Sequence, residues 1–199
     1  MHRQPLLDQL ARYRARHPEE EQVVASIVDL VSAHGDCFQR NCLPGHVTGS
    51  SWIVDEALER GLLTHHRKLA RWLQLGGHAD GDPDIPSVAL REAREESGMQ
   101  DFDMIVPEDG CLILDVDVHV IPAFGDEPAH EHHDIRFLFR AAQGQQISIS
   151  SESNDLAWFA WADLGDVGAD ESVLRLGRKA RSVFASGRFT AVRNAPSTE

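Results

Sequence analysis

Cysteine is scarce in this chain of 199 residues, and the little there is forms no recognisable pattern. Cys37, Cys42 and Cys111 make an odd number, and the first two lack the spacing of a CxxC pair. Reduced thiols are therefore expected, rather than a disulfide framework or a cysteine-held zinc. No apolar run approaches membrane-spanning length, and no signal-peptide pattern opens the chain, so a cytoplasmic location is expected. Basic residues are also in short supply. The 19 Lys and Arg stand against 32 Asp and Glu, for a net charge of −13. Such a surface repels nucleic-acid backbones and anionic membranes, which excludes both as expected partners. A phosphate-bearing ligand would have to be received by metal ions or by a local basic cluster. His65, His66, Arg67, Lys68 and Arg71 supply one such cluster. Arg67 and Lys68 are its candidate substrate contacts, although a solvated turn accounts for them equally well.

What is present describes an ordinary globular chain. Apolar content of 42% and charged content of 26% suit one domain with a substantial core, plus an extension. Residues 1–44 read as a helical extension of two helices, broken at His17-Pro18, with Leu6, Leu7 and Leu10 before the break. Val23, Val24, Ile27, Leu30 and Val31 follow at helical spacing. Strands are expected from Val47 to Asp55, Glu59 to His65 and Trp72 to Leu75. Further strands are expected over 111–121, 132–142 and 156–161. Along 132–142, Ile135, Phe137 and Phe139 alternate with His132, Asp134 and Arg136. Val173, Leu176, Ala180, Val183 and Phe184 describe an amphipathic C-terminal helix. The domain is expected over 45–190, and a disordered tail over 191–199. Periodicity alone reaches only α+β or α/β.

Residues 76–99 carry the most chemistry. A glycine turn leads through an acidic loop into a helix bearing Glu92, Glu95 and Glu96. At 100° per residue these carboxylates share one arc of about 100°. The same arc carries Ile85, Val88 and Ala89 earlier, so it is expected to face inward. Like charges at this spacing repel, and inward carboxylates are costly unless paired, so a hard divalent cation is their natural partner. Asp84 can cap the helix, Pro86 suits its first turn, and Gly98 suits its end. A solvated, charge-rich surface helix could carry the same glutamates.

The spacing resembles the Nudix box: Gly, five residues, Glu, seven residues, then Arg-Glu-aliphatic-x-Glu-Glu-x-Gly-aliphatic. Gly77, Arg91, Glu92, Ala93, Glu95, Glu96, Gly98 and Met99 occupy its positions, and Pro83 stands where the box has glutamate. Asp80, Asp82 and Asp84 surround that departure. The resemblance covers roughly Gly45 to Phe184. It implies an α/β/α sandwich with a mixed central sheet, to which the N-terminal helices are an extension. It also implies a metal-dependent pyrophosphohydrolase that cleaves the diphosphate linkage of a nucleoside diphosphate-X compound. Carried over, Gly76, Glu92, Glu95 and Glu96 would hold Mg2+ or Mn2+, and Arg91 would orient the glutamates. Glu92 and a later loop glutamate, Glu152, would act in catalysis, with Glu131 as the runner-up for that loop role. A homodimer is common among relatives.

A second constellation lies outside the box. His46, His78, His132 and Asp134 are the ligand types of zinc, manganese or iron, and are a candidate second metal site. His130 shares the His132 face and could instead touch a phosphate or a base. A related arrangement occurs in the isopentenyl-diphosphate isomerases, which have a cysteine two residues before the equivalent of His78. This chain has Gly76 there. Hydrolysis of a small nucleotide derivative is therefore the expected activity. A nucleotide-sensing module without turnover and an isomerase-like enzyme are the alternatives.

Overall fold

The computed structural model describes residues 2–125, 128–150 and 153–194. Two helices come first, α1 (Gln4–Arg16) and α2 (Glu21–Ala33), parted by one 3-10 turn at Pro18–Glu20. Pro18 disfavours a helical His17 before it, so α1 stops at Arg16 and the chain restarts. Leu6, Leu10 and Tyr13 are buried along α1, and Val24, Ile27, Leu30 and Val31 along α2. These spacings each define one helical face.

Strands β1 (Gly45–Val54), β2 (Arg60–His66), β3 (Arg71–Leu73) and β4 (Leu75–His78) lead to α3 (Ile85–Ser97). Then follow β5 (Phe102–Pro107), β6 (Ile113–Ile121), β7 (His130–Ala141), β8 (Ser153–Ala160), α4 (Glu171–Ser186) and β9 (Phe189–Asn194). All the strands join one mixed sheet. Its central pair, β1 and β7, is parallel and in register from Gly45 opposite Glu131 to Val54 opposite Arg140. The outer edge of β1 carries β4 and then β2, and the outer edge of β7 carries β6 and then β5, all antiparallel.

Alternation sends the side chains to two faces. Val47, Ile53, Ile135, Phe137 and Phe139 share a core with Leu10, Val24 and Ile27 of the extension and Val88 and Ala89 of α3. Trp52, Val54 and Leu138 pack with Val173, Leu176 and Ala180 of α4 in a second core. The architecture is thus the expected α/β/α sandwich, with the extension joined to the α3 layer. Helix α3 lies close on β1. A Cβ at Gly49 would fall 3.1 Å from Ile85 Cγ2 and 3.2 Å from the Ala89 amide nitrogen. Ser51 Oγ donates to the Ala89 carbonyl at 2.6 Å.

Three features differ from the sequence reading. Trp72–Leu75 is not one strand: β3 pairs with β2, and β4, one residue later, pairs with β1. Gly76 and Gly77 consequently lie in β4 and not in a turn. Second, β5 has no counterpart among the expected strands. Third, residues 191–194, expected to open a disordered tail, pair with β5 as part of β9. Arg193 Nε donates to Asp103 Oδ1 at 2.8 Å. So short a segment acquires order from the free edge of β5 rather than from its own pattern.

The α4-side face of β6 and β7 also buries a charge network. Asp115, fully buried, accepts from Arg136 at 3.0 Å, from both Nε and NH2 of Arg175 at 2.9 Å, and from Lys179 at 2.7 Å. Arg136 also donates to Asp134 at 2.8 Å and to Asp117 at 3.2 Å. Lys179 reaches Glu20 and the Tyr13 hydroxyl, which ties α4 to the extension. Burial by itself would raise the Asp115 pKa, but the Arg175 hydrogen bond and the charges of Arg136, Lys179 and Arg175 outweigh it and hold it below the ordinary carboxylate value. A depressed folded pKa contributes stability that is complete above the unfolded value of about 3.9 and is lost as pH falls through the folded one. Urea unfolding should therefore show stability falling as pH drops from about 5 toward 2. Asp115→Asn should cost about 3–5 kcal/mol at pH 7 by stranding buried cations, and should flatten that acid slope. An unchanged slope in the variant would move the acid sensitivity elsewhere.

Candidate active site

The box glutamates meet a strip of bare backbone. Asp84 accepts from Ser87 N–H at 3.3 Å and Ser87 Oγ at 2.8 Å to start α3, and Gly98, at φ 74°, ends it. Within that helix Glu92 comes to rest on Gly77. A Cβ on Gly77 would lie 2.6 Å from the Glu92 carboxyl carbon, so glycine is required for this approach. Glu96 accepts from the Gly76 amide at 3.2 Å. A Cβ on Gly76 would strike Ser50 at 2.3 Å from its Oγ, so both glycines answer to close neighbours. Arg91 NH2 donates to the His78 carbonyl and to Glu92 Oε1, each at 2.9 Å. Burial raises the Glu92 pKa, Arg91 opposes that rise, and Glu95 and Asp80 add to it. The expected inward arc is only partly so. Glu92 and Glu96, about 40° apart around the helix, are half-buried, whereas Glu95, at the far end of the arc, is exposed.

The aspartates near Pro83 already have partners. Asp82 accepts from the Asp84 amide at 2.9 Å, Asp84 caps α3, and Asp80 lies 3.5 Å from Arg40. Pro83 instead helps line a cavity of about 500 Å³ with His2, Pro5 and Leu6 of the extension. Arg67 and Lys68 lie exposed in the turn between β2 and β3. Among the described residues neither makes an ion pair with the box glutamates. Glu152 lies outside the described residues. Glu131, the runner-up, sits 3.2 Å from His133 Nε2.

The histidines do come together, with a change in membership. The β1–β7 register sets His46 opposite His132, with ring centroids 4.8 Å apart. His130 lies 5.0 Å from His46, and His78 lies 5.1 Å from it. Arg40 NH2 is 2.9 Å from His78 Nδ1. Asp134, expected as the carboxylate ligand, is drawn away. It accepts from Thr48 at 3.0 Å, Ser50 at 2.8 Å and Arg136 at 2.8 Å, two positions further along the strand. His130 takes its place in the cluster, an association that the two-residue period of β7 already allows. Arg40, before β1, had no sequence signal. Burial lowers the His46 pKa to about 4 and the His132 pKa to about 2, with further lowering from the neighbouring imidazoles, so both rings are neutral at pH 7.

Comparison with known proteins gives a consistent picture at the level of fold. No protein-family model matches the sequence, and no curated protein matches it. Solved structures do match. A C. elegans Ap4A hydrolase binary complex aligns at 20% identity and a TM-score of 0.53, over 71% of this chain and 98% of that one. A hydrolase of the NUDIX family from Clostridium perfringens aligns at 24% identity and 0.53, over 70% and 97%. The E. coli dihydroneopterin triphosphate pyrophosphohydrolase aligns at 15% and 0.52, over 70% and 95%. With the glutamate helix seated on the paired glycines of β4, this chain shares the fold of these solved structures, the NUDIX-family hydrolase among them.

Proposed function

We propose that the protein is a divalent-metal-dependent hydrolase that cleaves the diphosphate linkage of a small nucleotide-type compound. The observation that carries this reading is the seating of the Glu92 and Glu96 carboxylates on the backbone of Gly77 and Gly76. Two structural neighbours, named as an Ap4A hydrolase and a dihydroneopterin triphosphate pyrophosphohydrolase, support the substrate class.

The donor set fits a hard cation. Glu92, Glu95 and Glu96 offer carboxylate oxygens from one helix, and Arg91 is the cation bound among them. The Gly76 amide points away from β1 toward Glu96, and the carbonyl of the same residue points to the same edge in an antiparallel strand. The carboxylates and the Gly76 carbonyl are oxygen donors of the kind that magnesium and manganese take. Bound there, such an ion would neutralise phosphate charge and lower the pKa of water. The chain's own part is positional. Arg91 clamps Glu92 to the His78 carbonyl, and Gly77 leaves room for its carboxylate. In the reaction, water adds to one phosphorus, the bridging P–O bond breaks, and each fragment leaves with its phosphate. Glu92 and Glu152 are the proposed acid–base groups, Glu152 on its sequence position alone. Approach of an anionic substrate to a chain of net charge −13 requires this local cation.

Incubation with Mg2+ or Mn2+ and a panel of dinucleotides, nucleotide sugars, ADP-ribose and nucleoside triphosphates should release phosphate, after phosphatase coupling, from at least one compound. Glu96→Gln should abolish that release. Absence of turnover across the panel, with tight binding of one compound, would favour the sensing module instead. A second variant isolates the geometry. Gly77→Ala places a methyl group where the Glu92 carboxylate now rests, so the flexible side chain should swing away. Turnover should fall about 100-fold, the cost of a misplacement near 1 Å. Stability measured by thermal melting should change by no more than about 1 kcal/mol. Full activity in Gly77→Ala would refute the cradle.

A further inference from the structure

We propose that His46, His130 and His132 form a transition-metal site of the zinc type, separate from the box glutamates, with an open coordination position toward the cavity beside His130. The ligand nitrogens of these three residues lie within 4.8 Å of one another. His130 Nε2 and His132 Nε2 are 3.3 Å apart, which is the edge of a tetrahedron with bonds of about 2.0–2.1 Å.

Proton bookkeeping favours the same arrangement. His130 Nδ1 lies 2.9 Å from the Pro128 carbonyl, and a carbonyl only accepts, so that nitrogen carries the hydrogen. Its Nε2 faces His132 Nε2 across 3.3 Å. A ring oriented by a backbone carbonyl in this way is the usual setting of a metal-ligating histidine. A simple hydrogen bond from His132 to His130 would account for that pair, but not for His46. His46 is fully buried, and neither of its ring nitrogens meets a partner at hydrogen-bonding geometry. A neutral imidazole carries one proton, so one of these two nitrogens holds a lone pair that nothing among the described residues meets. A buried polar atom in that condition is destabilising, and a shared cation removes the penalty.

The surroundings define the ion. Asp134, the carboxylate nearest along β7 on this face, is taken up by Thr48, Ser50 and Arg136. Among the described residues the grouped ligand atoms are all imidazole nitrogens, which suits zinc and its first-row neighbours and disfavours magnesium. His78 stands beside the site with its Nδ1 engaged by Arg40. The adjoining cavity, about 530 Å³ and lined by Gln39, Arg40, Asp80 and His130, gives the fourth position room for water or an anionic ligand. Three protein ligands with an open fourth position is the pattern of a reactive rather than a purely structural zinc.

The test uses the untagged full chain, purified without chelator, with metal content measured by mass spectrometry. Chelator-stripped protein is then titrated with Zn2+, and with Co2+ as an optical probe, in a large excess of Mg2+. We expect one zinc ion per chain, retained through dialysis and not displaced by Mg2+, and visible absorption from the Co2+ form. His130→Ala and His132→Ala should each weaken Zn2+ binding at least about 100-fold, while Glu96→Gln leaves it unchanged. Circular dichroism and melting in chelator verify that each variant is folded, and the wild-type titration is decisive without them. A wild-type chain that takes up no zinc would overturn the proposal. So would binding that survives both histidine substitutions, or that is lost in Glu96→Gln. Loss of hydrolysis in Glu96→Gln with zinc retained separates this site from the diphosphate reading.

Discussion

The parallel, in-register ladder between β1 and β7 is the constraint from which the other placements follow. Side chains alternate along a strand, so fixing Gly45 opposite Glu131 fixes which residues share each face. On the α4 side this sets His46 by His132, Thr48 by Asp134, Ser50 by Arg136 and Trp52 by Leu138. The face therefore grades from imidazole through hydroxyl and carboxylate to a buried ion network, and ends in apolar core. A slip of one residue would turn His46 and Trp52 toward α3 and turn Val47 and Ile53 into the charged tract. Parallel strands cannot be joined by a tight turn. The connection between them carries α3 over the opposite face, where Gly49 admits Ile85 and Ala89. The glutamates and the histidines thus occupy opposite sides of the same two strands.

Charge is distributed with the same economy. The chain has few cations, and several of them are inside. Arg136 is buried among Asp115, Asp117 and Asp134, and Arg175 and Lys179 reach in from α4. Desolvating these groups costs about what their attraction returns, so the network is weak evidence for net stability. Its value is in position. Lys179 joins α4 to Glu20 and Tyr13, so the helix and the extension dock in one arrangement. Cations committed to the interior are not available to draw in an anionic ligand. Under the proposed hydrolysis, neutralisation would have to occur where ligand and carboxylates meet, which is the physical reason for placing a metal ion there.

Features encoded within one segment were legible in the sequence. The α3 caps, the spacing of Gly77 to Gly98 and the break at His17-Pro18 depend on local backbone rules, and each appears in the structure. Features that depend on a distant partner were not. The six residues of β5 and of β9 carry little pattern alone, and each is a strand because the other lies beside it. The change of partner between β3 and β4 turned the two glycines from turn into strand. Asp134 looked like a ligand because it shares a face with His132. It was claimed by Thr48 and Ser50, which register alone brings near. His130 was visible on the correct face, yet only the folded chain shows its Nε2 turned toward His132.

His78 lies between the two sites. In β4 it pairs with Thr48, and its main-chain carbonyl accepts from Arg91, which also holds Glu92. Its ring lies among His46 and His132 on the other face, with Arg40 at its Nδ1. A strand residue presents its carbonyl in the plane of the sheet and its side chain perpendicular to it, so the two attachments are mechanically linked through one α-carbon. The short acidic loop after His78 gives little slack, because the Gly81 amide is fastened to the Phe38 carbonyl at 2.8 Å and Asp84 to the start of α3. The glutamate cradle and the histidine cluster are therefore chemically distinct in their donors but not structurally independent.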